Sequence, residues 1–86
     1  VVKETATRAG ELLGERLRKL REKAGVTQVV LAERSGVRQS HISSIEGGAM
    51  LPNLVTIMRL ARALPCKVSD LTSVFDDADL SSLLPK

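Results

Sequence analysis

Residues 27–46 read TQVVLAERSGVRQSHISSIE. Thr27 is a good N-cap, because its hydroxyl can accept from an otherwise unpaired N–H of the first helical turn. A helix over Gln28–Ser35 is predicted behind it, with Leu31 and Ala32 inward. Gly36 stops this helix, since glycine tolerates the positive φ of a tight turn. Val37 reads as a core plug. A second short helix follows over Gln39–Glu46, with Ile42 and Ile45 inward at i, i+3. That pinning leaves Gln39, Ser40, Ser43 and Ser44 on the opposite face. These side chains are short, polar and uncharged, and each both donates and accepts hydrogen bonds. Base edges in a DNA major groove ask for that chemistry. Two short helices across a glycine turn are the arrangement of a reader helix held by a bracing helix.

Upstream, helix periodicity is expected from about Glu11, after a first ten residues with no periodic pattern. Leu13, Leu17, Leu20 and Ala24 fall on one face, and Arg16, Arg18, Lys19 and Lys23 on the others. Gly25 ends this helix. Downstream, Gly47 and Gly48 end the reader helix. Asn53 caps a fourth helix with a long apolar stripe of Leu54, Ile57, Leu60, Ala61 and Leu64, which Pro65 terminates. A fifth short helix from Val68 or Ser69 carries Leu71, Val74 and Phe75. Residues 76–86 are acidic, then Leu-rich. No stretch keeps a strand period. Five helices with short connections predict an all-α domain.

The bulk properties bound the rest. The chain has 86 residues, enough for one domain. Its first residue is not Met, so it is expected to begin inside a longer chain. Residues 1–67 hold 12 Lys or Arg against 6 Glu, whereas residues 68–86 hold one Lys against four Asp. A basic body suits a polyanion, and an acidic tail suits solvent or a protein partner. No apolar run approaches the roughly 18–20 residues of a membrane span. A soluble, cytoplasmic protein is expected. The single Cys66 and single His41 lack companions for a disulfide or a metal site, so neither metal nor cofactor is expected. No carboxylate pair, Cys–His pair or phosphate loop suggests an enzyme. One aromatic residue is too few for stacking on single strands.

Over residues 12–75 the chain resembles the phage-repressor helix-turn-helix family, the Cro/cI or XRE type. The matching phrases are LGERLRKLREKAGVTQ, LAERSGV, QSHISSIEGG, and Pro52 followed by LVTIMRLARAL. The resemblance implies a compact five-helix, lambda-repressor-like domain over residues 11–75, preceded by an arm at 1–10 and followed by a tail at 76–86. It implies sequence-specific binding of double-stranded DNA by a transcriptional regulator, with repression favoured over activation. Gln39, Ser40 and Ser44 are then the base contacts, with Arg38 at the first base or a nearby phosphate. Gln28, at the start of the bracing helix, would bind a phosphate and brace Gln39. Ser43, Arg34 and the backbone of Gly48 are the other candidate phosphate contacts. Arg21 and Glu46 match a family pair that locks the first helix to the end of the reader helix, a structural role. The family also implies a homodimer on a palindromic operator, with half-sites about 34 Å apart. The fifth helix and the tail, through Val68, Leu71, Val74, Phe75, Leu80, Leu83 and Leu84, are the expected dimer element.

Three features depart from that pattern. No Lys or Arg occurs from Gln39 through Met58, although family members carry phosphate-clamping cations after the reader helix. The missing charge is expected to come from Arg38, Arg34, the first helix, Lys3 or Arg8, with weak binding and a shallow salt dependence. Val29 and Val30 stand where polar residues are usual, and Met50 and Leu51 are apolar for a loop. These four favour the alternative function, an antitoxin-like or other protein-interaction subunit with secondary DNA binding. Arg38 is also a poor N-cap.

Overall fold

A computed structural model describes the backbone of residues 2–84 and the side chains of residues 8–84. Among these the chain forms α1 (Val2–Lys23), α2 (Gln28–Ser35), α3 (Gln39–Glu46), α4 (Leu54–Ala63), α5 (Val68–Thr72) with a 3-10 turn at Ser73–Phe75, and α6 (Leu80–Leu83), with no strand. The boundaries of α2 and α3 are those predicted from the sequence. Two end caps agree as well. Thr27 Oγ1 accepts from the Val30 N–H at 3.1 Å, and Asn53 Oδ1 from the Thr56 N–H at 2.9 Å.

One core holds the helices together. Leu13 and Leu17 of α1, Leu31 of α2, Val37, Ile42 and Ile45 at α3, Leu60, Ala61 and Leu64 at α4, and Leu71 of α5 are all buried. Full burial of one such side chain contributes about 1.5–3 kcal/mol. The core therefore fixes which face of α3 points outward. Arg16 ties α1 to α5, its Nε donating to the Asp70 carbonyl at 2.7 Å. At the start of α5, the Lys67 N–H donates to the Asp70 carboxylate at 2.8 Å.

Four expectations are corrected. First, α1 begins at Val2 rather than near Glu11. Ala9 and Gly10 are buried, and Gly10 faces the backbone of Gly48. Packing at Ala9 and Gly10 thus supports the helix just before Glu11, where local periodicity does not announce it. Second, Ala24 lies beyond the helix end and is exposed. Third, α4 divides its apolar residues between two faces. Ile57, Leu60, Ala61 and Leu64 pack inward, while Leu54, Val55 and Met58 are exposed. Fourth, six α-helices rather than five form among the described residues: Leu80–Leu83 of the tail make α6, which Asp79 caps by accepting from the Ser81 N–H at 3.1 Å. Cys66 is half-buried and packs on the core, and desolvation pushes its thiol pKa up, with Asp70 adding to the effect. A raised pKa lowers the fraction of the thiol present as nucleophilic thiolate.

Candidate nucleic-acid interface

The turn between α2 and α3 aims the reader helix. Gly36 takes φ 77°, and its N–H closes α2 on the Ala32 carbonyl. Ser35 is buried, and its Oγ accepts from the Val37 N–H at 3.1 Å. This bond sets the exit angle of the chain, and the sequence alone gave no reason to single out Ser35. Val37, Ile42 and Ile45 then hold α3 by its inner side. Arg38, Gln39, Ser40 and Ser43 are exposed, and Ser44 is half-buried on the same outer surface. As expected of a poor cap, the Arg38 side chain makes no capping bond.

The far end of α3 is locked by a polar junction of three elements. Arg21 donates from Nε to Glu46 Oε2 at 2.7 Å and from Nη2 to Oε1 at 3.0 Å. Its Nη1 donates to the Val26 carbonyl at 2.9 Å. Gln28 adds a third bond to Glu46, from Nε2 to Oε1 at 3.0 Å. The Glu46 side chain is only 5% exposed, so all three donors act at low dielectric. The Arg21 pKa is raised, chiefly by the hydrogen bond to Glu46. Gln28 thus braces α3 at its end. No bond joins it to Gln39 among the described residues, which corrects that part of the expectation.

α1 approaches this junction closely. A Cβ on Gly14 would strike the Ile45 carbonyl oxygen, and one on Gly10 would lie 2.9 Å from the Gly48 carbonyl oxygen. The Gly10 and Gly14 pair, one turn apart, makes the shallow track in which the end of α3 sits. Its signal was two small residues at i, i+4 in an otherwise long-chain helix.

The loop after α3 corrects another expectation. Gly48 is buried against Glu11, with φ 77°, and its N–H donates to the Ile45 carbonyl at 3.0 Å. The Gly47 and Ala49 N–H groups are bonded internally too, to Ser43 and Ser44 carbonyls at 2.9 and 3.0 Å. The backbone of Gly48 therefore has no free donor to offer a phosphate. Arg34 is exposed on the last turn of α2. Arg8 is exposed at α1, whereas the side chain of Lys3 lies outside the described residues.

Two grooves flank α3. One, about 530 Å³ and open, runs between α3 and α4 past Arg38, Ser40, His41, Ser44, Thr56 and Arg59. The other, about 450 Å³, lies between α1 and the end of α3, past Arg8, Arg18, Glu11, Glu15 and Glu46. Arg59 is a residue that linear reading did not connect with the site. Among the described residues no group of His, Cys, Asp and Glu is arranged to hold a metal. No helix there is long and apolar enough to cross a membrane.

A family model described as a helix-turn-helix domain matches residues 12–72. The chain belongs to the helix-turn-helix family of transcriptional regulators. It is similar to an uncharacterized HTH-type transcriptional regulator, y4dL, of Sinorhizobium fredii, with 43% identity over 58 residues, covering 67% of this chain and 30% of that protein. It is also similar to the immunity repressor protein of Bacillus phage phi105, with 35% identity over 57 residues, covering 66% of this chain and 40% of that one. The chain thus spans well under half the length of these two relatives. Among solved structures, the restriction-modification controller protein C.AhdI of Aeromonas hydrophila superposes with a TM-score of 0.71 at 36% identity, covering 73% of this chain and 96% of the controller. The helix-turn-helix match spans both α2 and α3, the segment that decided the fold from sequence.

Proposed function

We propose that this helix-turn-helix domain binds double-stranded DNA sequence-specifically as a non-enzymatic regulator, inserting α3 into the major groove. The observation that carries this reading is the bare outer face of α3. Arg38, Gln39, Ser40 and Ser44 stand on a helix whose inner face is buried and whose end is clamped by Arg21 and Gln28. Gln39 is assigned to an adenine edge, since its amide can both accept and donate there. Ser43, Arg34 and the second amide N–H of Gln28 are assigned to phosphates. The likeness to a phage immunity repressor supports repression as the direction of control.

A twofold homodimer on a palindromic operator completes the reading, because a single module of this size buries too little DNA surface for tight specific binding. The dimer surface is narrower than the sequence implied. Leu71 is buried in the protomer core, and Val68 and Phe75 pack against it, which leaves half-buried Val74 and Leu83 and exposed Leu80 and Leu84 for a partner.

Selection of bound duplexes from a random pool tests the proposal. A palindromic motif with half-sites one helical turn apart is the expected result. Failure to bind any duplex at low salt overturns the DNA reading.

A second reading, a protein-interaction subunit, is favoured by one observation. Leu51, Leu54, Val55 and Met58 are all more than 40% exposed, and the last three share one face of α4. Val29 on α2 is exposed as well, whereas Met50 packs on the core.

A further inference from the structure

The loop after α3 holds no cation, and its N–H groups at Gly47, Gly48 and Ala49 are bonded internally. A DNA strand running past the reader helix still has to be neutralised there, since phosphate contacts supply most non-specific affinity. We propose that the groove between α3 and α4 takes a backbone phosphate, gripped by Arg59 of α4 together with Arg38. This inference rests on the reading of α3 as a DNA reader.

Three observations carry it. First, α4 brings Arg59 back to the reader helix, although no Lys or Arg lies between Gln39 and Met58 in sequence. Its Nη1 lies 3.9 Å from where a Cβ would stand on Gly36, at the entry to α3. Second, the chemistry of the groove is that of an anion site. Its charged lining is Arg38 and Arg59, no Asp or Glu lines it, and Ser40, Ser44 and Thr56 present hydroxyls. His41 Nε2 is buried at this wall with no hydrogen-bond partner among the described residues. The groove on the other side of α3 differs. There Arg8 and Arg18 stand among Glu11, Glu15 and Glu46, so the local field is not positive. Third, both arginines are exposed and uncommitted. Among the described residues the ion pairs are Lys19–Glu15 and Arg21–Glu46, and no side-chain hydrogen bond uses Arg38 or Arg59. A guanidinium fork matches phosphate oxygens in a bidentate way that a lysine does not. Arg59 therefore takes over the task of the missing loop cations, from a helix rather than a loop.

The test uses the duplex recovered by selection and compares the protein with Arg59→Gln and Arg59→Lys. Arg59 is exposed, so the variants should keep the fold, which circular dichroism checks. Loss of one phosphate contact should reduce the slope of log affinity against log salt by about 0.9, with Arg59→Lys falling less. The loss should be the same for selected and random duplexes. Replacing phosphates one at a time by neutral methylphosphonate should weaken the unaltered protein at one position flanking each half-site. The Arg59→Gln variant should be indifferent to that replacement. An unchanged slope together with an unchanged methylphosphonate profile overturns the assignment while leaving the DNA reading standing. Saturable binding of inorganic phosphate that needs Arg59, with the DNA slope unchanged, also overturns it and makes the groove a site for free phosphate. If no duplex binds the unaltered protein at low salt, the DNA reading fails first and the phosphate site with it.

Discussion

Glu46 receives both arms of the Arg21 guanidinium at 2.7 and 3.0 Å, so the last residue of α3 is bolted to the last turn of α1. The Arg21 side chain is 13% exposed and that of Glu46 5%, so the pair is nearly dry. Removing one partner of a buried pair leaves the other desolvated and unpaired, at about 3–5 kcal/mol. The small residual exposure of Arg21 puts Glu46→Ala at the lower end, about 3 kcal/mol. Urea unfolding of the variant should show this as a lower midpoint with an unchanged slope. Gln28→Ala removes one hydrogen bond from the same carboxylate and should lower stability by about 1 kcal/mol.

Gly14 makes a second prediction about the same junction. Alanine is favoured over glycine inside a helix by about 1 kcal/mol. Here the added methyl would meet the Ile45 carbonyl oxygen, with the Glu46 carbonyl oxygen 2.9 Å away. Both are backbone atoms and cannot swing aside. Overpacking of this kind typically costs about 1–3 kcal/mol. Gly14→Ala is therefore expected to destabilise, against its helix propensity. A Tm at or above that of the unaltered protein would contradict the close approach.

The α2 and α3 segments were legible because each carries its own punctuation. Thr27, Gly36 and Gly47 bound two short apolar patterns, and no distant residue is needed to place them. The outer face of α3 follows by subtraction once Val37, Ile42 and Ile45 are assigned inward. What stayed hidden depends on pairs far apart in sequence. Gly10 meets the backbone of Gly48 just before the periodic part of α1, and Gly48 loses its free N–H to a bond visible only in the folded loop. Arg59 reaches the site only because α4 packs on α2, which brings its guanidinium beside Gly36 at the turn into α3. Leu54 was misplaced because α4 is apolar on two faces, and periodicity alone cannot say which face meets the core.

The exposed tail leucines give a prediction on assembly. Leu80 and Leu84 are 56% and 65% exposed, so replacing both by Asp should leave the protomer fold intact. Leu71 contrasts with them, since it is 1% exposed and its loss would damage the core itself. If the tail carries the dimer, Leu80→Asp with Leu84→Asp should reduce the sedimentation mass from two chains to one at tens of micromolar. The thermal unfolding of the resulting monomer should remain cooperative. An unchanged dimer mass would move the interface elsewhere, with the exposed face of Leu54, Val55 and Met58 the next surface to mutate.

Gln39 separates base reading from simple adhesion. It is exposed at the first position of α3, where the Gly36 turn and the buried Val37 fix the helix entry. A bidentate amide–adenine pair is worth about 1–3 kcal/mol of discrimination. Gln39→Ala should therefore weaken binding to the selected duplex by roughly 5- to 150-fold. The change should fall on one base pair of each half-site, where the preference for adenine disappears. Binding to random duplex should hardly move, because a neutral amide releases no counterions. Arg59→Gln should do the reverse, weakening all sequences alike and flattening the salt dependence. Measuring both variants on both duplexes by fluorescence anisotropy forms a two-by-two comparison. A uniform loss from Gln39→Ala would remove it from the base-reading face and leave α3 as a docking helix.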